Sequence, residues 1–152
     1  MKNRELVKNL DYEIEKEDIY VIKVEDGSRI TFRTILLDVI ETDVVDEKGH
    51  LLQFNVQNLV TALSPPELRG KKGEKYPISI LEDNIETPNM MYKILKGNGE
   101  NIYTLESGSK LIIKVNIKQV DRTSLYNRMG MPTYIVRSET MIAQEETSLV
   151  KE

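Results

Sequence analysis

The sequence predicts an all-β fold: an internally duplicated, hairpin-rich barrel or sandwich with pseudo-two-fold symmetry and room for one short helix. Three observations lead there. β-Branched and aromatic residues alternate with polar ones in short runs separated by glycine-bearing turns, the period-two pattern of half-buried strands. A Pro/Gly-rich stretch interrupts these runs near the middle of the chain. The runs before it resemble the runs after it at a constant spacing, as an internal repeat requires.

The first strands read from Asp18 to Val24 and from Arg29 to Ile40, joined by Glu25-Asp26-Gly27-Ser28. Asp-Gly between such runs signals a hairpin, because glycine supplies the positive φ of the turn. Ile30, Phe32, Thr34 and Leu36 share one face of the second strand, which predicts the core side. A polar turn follows over Thr42–Gly49, then strands over Leu51–Val56 and Leu59–Leu63. Ser64 to Pro77 holds Pro65, Pro66, Pro77, Gly70 and Gly73, which excludes helix interior and central strand and reads as a loop. Ile78–Leu81 predicts a short edge strand, and Met90–Lys96 either a strand or a helical turn. Gly97-Asn-Gly99 leads to a strand over Ile102–Leu105, a turn at Glu106-Ser-Gly-Ser109, and a long strand over Lys110–Val120.

Sliding the chain by 81 residues lays Val24–Leu63 on Leu105–Gln144 without a gap, with Glu25/Glu106, Gly27/Gly108, Ser28/Ser109, Val39/Val120, Thr42/Thr123, Gly49/Gly130 and Ala62/Ala143 identical. Patterning adds weight: Ile30, Phe32 and Leu36 meet Leu111, Ile113 and Ile117. The expectation is one compact domain over residues 1–152. It would be built from two β units, about 10–63 and 91–144, joined by a linker over 64–90. Neither sheet buries its apolar face alone, so the units must pack together.

Composition excludes several chemistries. The 152 residues contain no cysteine and one histidine, which removes disulfides, Cys-ligated metals, thiol nucleophiles and multi-His sites. No apolar run approaches the roughly 20 residues of a membrane span, and Met1–Lys8 is too charged for a signal peptide. The expectation is a cytoplasmic protein with no membrane contact and no cofactor. The net charge of -4 hides a gradient: residues 1–60 hold 8 basic and 13 acidic side chains, and residues 105–152 hold 7 and 6.

Four features are candidate sites. The turn acids Asp38, Glu41, Asp43, Asp46 and Glu47, near His50, lack the register of a calcium loop. Their counterparts in the second unit are Gln119, Arg122, Ser124, Asn127, Arg128 and Met131, so the expectation is a solvated turn and no metal. Lys110, Lys114, Lys118 and Arg122 lie four apart on one predicted strand face, joined by Arg128 and Arg137. Such a row suits phosphates of a single-stranded nucleic acid or another polyanion, with Tyr126 and Tyr134 near for base stacking. A predicted loop over Thr123–Tyr134 carries Leu125, Tyr126, Arg128, Met129, Met131 and Tyr134, an apolar and Arg-bearing set of the kind that partner surfaces favour. The linker basics Arg69, Lys71, Lys72 and Lys75 flank Gly70-Lys-Lys-Gly73, which matches no phosphate-binding pattern.

No nucleophile–base motif is legible, although a carboxylate pair assembled only by folding leaves no spacing signature. The expected function is a non-catalytic binding or assembly module acting on a protein partner or on itself as a homo-oligomer. Nucleic-acid binding through the basic face, and a carboxylate-dependent hydrolase, are the alternatives.

Overall fold

The computed structural model describes residues 8–47 and 49–145, without the side chain of Asp46. Met1–Val7, Lys48 and residues 146–152 lie outside the described residues. The structure is nearly all β, in two five-stranded antiparallel sheets. The strands are β1 (Lys8–Leu10), β2 (Tyr12–Lys16), β3 (Tyr20–Val24), β4 (Arg29–Asp46), β5 (Gly49–Leu63), β6 (Ile85–Thr87), β7 (Tyr92–Lys96), β8 (Glu100–Leu105), β9 (Lys110–Tyr126) and β10 (Pro132–Glu145), with one helix, α1 (Ile78–Glu82).

In the first sheet β5 and β3 flank β4, β7 lies outside β3, and β1 extends the β3 side of β4 at residues 39–41. In the second, β10 and β8 flank β9, β2 lies outside β8, and β6 touches β9 at Arg122 and Thr123. Each sheet therefore takes one strand from the far end of the chain: β2 joins the later strands and β7 the earlier ones.

Both predicted glycine turns form. Gly27 donates its N–H to the Val24 carbonyl and Val24 to that of Ser28, at 2.8 and 2.9 Å; Gly108, Leu105 and Ser109 repeat both bonds at the same lengths. The two glycines adopt φ of +92° and +95°, where any other L-residue is strained. The buried faces also correspond at the 81-residue spacing. Ile22, Val24, Ile30, Phe32, Leu36 and Val39 sit in the core from one side and Tyr103, Leu105, Leu111, Ile113, Ile117 and Val120 from the other.

Bulges interrupt both long hairpins, at Leu37 in β4 and at Lys118 in β9. One extra residue reverses which face each later side chain occupies. This is why Val39 and Val120 remain in the core although they are an odd number of residues from Leu36 and Ile117.

Several expectations need correction. The fold is not a closed barrel: among the described residues β2, β5, β7 and β10 each pair on one side only, so no strand closes either sheet. The polar Thr42–Asp46 stretch remains strand, paired as far as Asp46 with Gly49, and the two strands predicted over Leu51–Leu63 are one. Ile78–Leu81 is helical, not an edge strand. Pro77 starts α1 with an extended φ/ψ and Leu81 anchors its buried side, and a short apolar run has no period that separates helix from strand. The linker is also more than a connection, since it holds a 3-10 turn at Pro66–Leu68, α1 and β6.

Candidate functional site

The segment expected as a loop over Thr123–Tyr134 is mostly hairpin, because β9 continues to Tyr126 and β10 begins at Pro132. Asn127 shapes the connection: its Oδ1 accepts the N–H groups of Met129 (2.9 Å) and Met131 (3.0 Å). The Pro/Gly linker lies against this hairpin end. Gly70 donates to the Gly130 carbonyl at 2.9 Å and Gly73 to that of Asn127 at 2.8 Å. A Cβ on Gly70 would fall 2.6 Å from the Tyr126 ring, and one on Gly73 1.9 Å from the Tyr126 carbonyl oxygen. Those two glycines are what let the linker approach.

This packing divides the six residues of the proposed contact. Met131 is 9% exposed and Tyr134 5%; the Met131 sulfur accepts from the Ser64 N–H at 3.5 Å. Leu125 and Tyr126 are half-buried, while Arg128 is exposed and Met129 is 74% exposed.

Tyr134 belongs to a buried polar cluster that links the two sheets. Its hydroxyl donates to Asp26 Oδ2 at 2.6 Å, Arg122 Nη1 donates to the same oxygen at 3.0 Å, and Ser28 Oγ lies 2.7 Å from Tyr134 Oη and 2.8 Å from Ser64 Oγ. Burial works to raise the Asp26 carboxyl, but hydrogen bonds from Tyr134, Ser28 and Arg122 outweigh it and hold it below its ordinary value. Asp121 repeats the balance. It is fully buried, yet bonds from the Asn89 N–H, Gln119 and Arg137 keep its carboxyl low.

The basic row does not form one free face. Lys110 pairs with Glu15 at 2.9 Å and Lys118 with Glu139 at 3.3 Å. Arg137 bonds both Asp121 and Glu82 at 3.1 Å. Arg122 follows the bulge at Lys118, which turns it to the side of Val120 and toward Asp26. Lys114 and Arg128 have no ion pair among the described residues, and they sit far apart on the β9–β10 hairpin. In the acidic turn, Asp38 accepts from Asn55 at 2.6 Å and His50 Nδ1 lies 2.8 Å from the Thr42 carbonyl oxygen. Among the described residues no three His, Asp or Glu side chains converge as a metal site would need.

Sequence reasoning missed a different surface. Strand β5 pairs only with β4 among the described residues, so alternate N–H and C=O groups along its 15 residues point outward. Gly49 to Leu63 contains no Asp, Glu, Lys, Arg or Pro. The other one-sided strands all carry charge: Lys8 on β1, Glu13, Glu15 and Lys16 on β2, Glu86 on β6, Lys93 and Lys96 on β7, Arg137, Glu139 and Glu145 on β10. Charge is an ordinary protection of a sheet edge, and β5 lacks it. Beside β5 lies a cleft of about 510 Å³, walled by Asn58 and Val60 on one side and by Lys75, Tyr76, Arg128 and Met129 on the other. The missing charge was legible in the sequence; that this strand would be an edge was not.

Comparison with protein-family models, curated proteins and solved structures finds no match to this chain. Among the described residues no helix is long and apolar enough to cross a membrane.

Proposed function

We propose that the chain is a non-catalytic assembly module that binds by adding a strand to the edge of β5. The observation that carries this reading is a 15-residue edge without a single charge or proline. Strand addition supplies affinity through main-chain hydrogen bonds and specificity through pockets for alternate side chains. The cleft beside Val60 is such a pocket, and Arg128 and Met129, two residues of the predicted contact surface, stand on its far wall.

We also read the chain as an internal duplication with pseudo-two-fold symmetry. Its support lies in bonds that recur at corresponding positions. Tyr12 donates its hydroxyl to the Leu36 carbonyl and Tyr92 to that of Ile117. Tyr20 donates to the Val115 carbonyl and Asn101 to that of Thr34. Glu106 accepts from the Asp11 N–H and Glu25 from that of Met91. Under this reading β10 is an internal control for β5: it carries Arg137 and Glu139 where β5 has Val56 and Asn58. Polyanion binding has less support, because four of the six basic residues are held by carboxylates.

The test imports charge into β5. Val56→Lys/Asn58→Lys should fold, as judged by circular dichroism, and lose association, read by light scattering across concentration and by retention of partners on immobilised protein. Thr140→Lys on β10 should change neither. If no self-association and no retained partner responds to the double lysine variant, the reading fails.

A further inference from the structure

We infer that the occupant of the β5 edge is β5 of a second copy, paired antiparallel about a two-fold axis at Gln57; this rests on the strand-addition reading above. The sequence of the strand is close to self-complementary about that residue. Antiparallel pairing centred there sets Leu51 opposite Leu63, Leu52 opposite Ala62, Gln53 opposite Thr61 and Phe54 opposite Val60, each pair crossing from one copy to the other, with Gln57 facing itself. Apolar meets apolar and polar meets polar in all five, and cross-strand pairs of this kind are the unit of sheet stabilisation. The two departures are Asn55 opposite Leu59 and Val56 opposite Asn58.

A two-fold contact is isologous: it uses the same patch twice and closes on itself. A strand without charge meets its own image with no like-charge repulsion in any register, and among the one-sided strands of the described residues only β5 is free of charge. The side chains left over are the right ones. Leu51, Leu63 and Val60 are substantially exposed, and directly opposed residues of an antiparallel pair share a face. Leu52 and Phe54 of the incoming strand thus fall on the cleft side, next to Ala62 and Val60. The cleft rim carries both signs, Glu74 beside Lys75 and Arg128, none with an ion pair among the described residues. Pairing over residues 51–63 makes a seam of roughly 45 Å at the usual rise of a strand and joins the first sheets of two copies into one.

The chain has no cysteine, so a single introduced thiol reports the axis cleanly. The proposal expects purified protein to reach twice 17.5 kDa with rising concentration. Gln57→Cys should form a disulfide-linked dimer under mild oxidation, whereas the control Lys114→Cys should stay monomeric on denaturing gels. The charge swap is the second arm. Val56→Lys/Asn58→Lys sets lysine opposite lysine and should abolish the dimer. Val56→Lys/Asn58→Glu sets lysine opposite glutamate and should restore it at least tenfold relative to the double lysine variant. Pure protein that stays monomeric at all concentrations, or a dimer without Gln57→Cys cross-linking and without charge rescue, overturns the two-fold. If the double lysine variant still loses a retained partner, strand addition at β5 stands with a different occupant. If it loses nothing, both fail.

Discussion

Arg122 Nη1 lies 3.0 Å from Asp26 Oδ2, joining the first glycine turn to β9 of the opposite sheet across 96 residues of chain. Neither side chain has much access to water, at 18% and 8% exposure. Tyr134 closes the third side of the cluster. Removing Asp26 leaves the largely buried Arg122 with the exposed Glu86, 3.7 Å away, as its one remaining ion pair among the described residues. Asp26→Asn is therefore expected to destabilise the fold by about 3 kcal/mol, read by urea denaturation. Asp26→Asn combined with Arg122→Gln should cost less than the sum of the two single changes; strict additivity would remove the pair from any structural role.

Asp26 and Asp121 also set a pH dependence. Hydrogen bonds hold both carboxyls below their ordinary values against the opposing effect of burial. A carboxylate with a depressed folded value contributes stability that is complete above its unfolded value of about 4 and is lost as pH falls through the folded one. The urea midpoint should be flat from about pH 7 to 5 and fall below about pH 4. The fall should be shallower in Asp121→Asn, which no longer titrates; an unchanged acid limb in that variant would assign the effect to other groups.

Gly73 allows the linker to touch the β9–β10 hairpin, since a Cβ there would stand 1.9 Å from the Tyr126 carbonyl oxygen. Gly73→Ala must lift the linker and break the 2.8 Å bond to the Asn127 carbonyl. The expected cost is roughly 1–3 kcal/mol, confined to this end of the molecule. Amide exchange at residue 73 should rise while that of Ile113 in the core stays unchanged.

Tyr12 and Tyr92 each bond a carbonyl in the opposite sheet, at 2.7 and 3.1 Å. If the halves are equivalent, Tyr12→Phe and Tyr92→Phe should each cost about 1 kcal/mol and add within about 0.5 kcal/mol when combined. A large cost for one and none for the other would speak against equivalence.

Local features were the legible ones. The Gly27 and Gly108 turns were readable because positive φ is a property of one residue, and the core faces of β4 and β9 before their bulges because side chains alternate along a strand. The bulges at Leu37 and Lys118 have no such signature, and each one overturns the alternation beyond it. That is how Arg122 left the row that spacing assigned it to. α1 escapes such reading because Ile78, Ile80 and Leu81 within four residues fit either period.

By itself the sequence determined the β character, the two glycine turns, the 81-residue correspondence and the charge-free run from Gly49 to Leu63, all of which depend on neighbours within a few positions or on comparison of the chain with itself. Only the tertiary structure decided that β2 and β7 cross to opposite sheets, that Asp26 meets Arg122, and that the charge-free run has an open side. Those depend on strands and side chains that meet across 68 to 96 residues, and pairing is settled by burial of the whole apolar surface at once, not by any local stretch of chain.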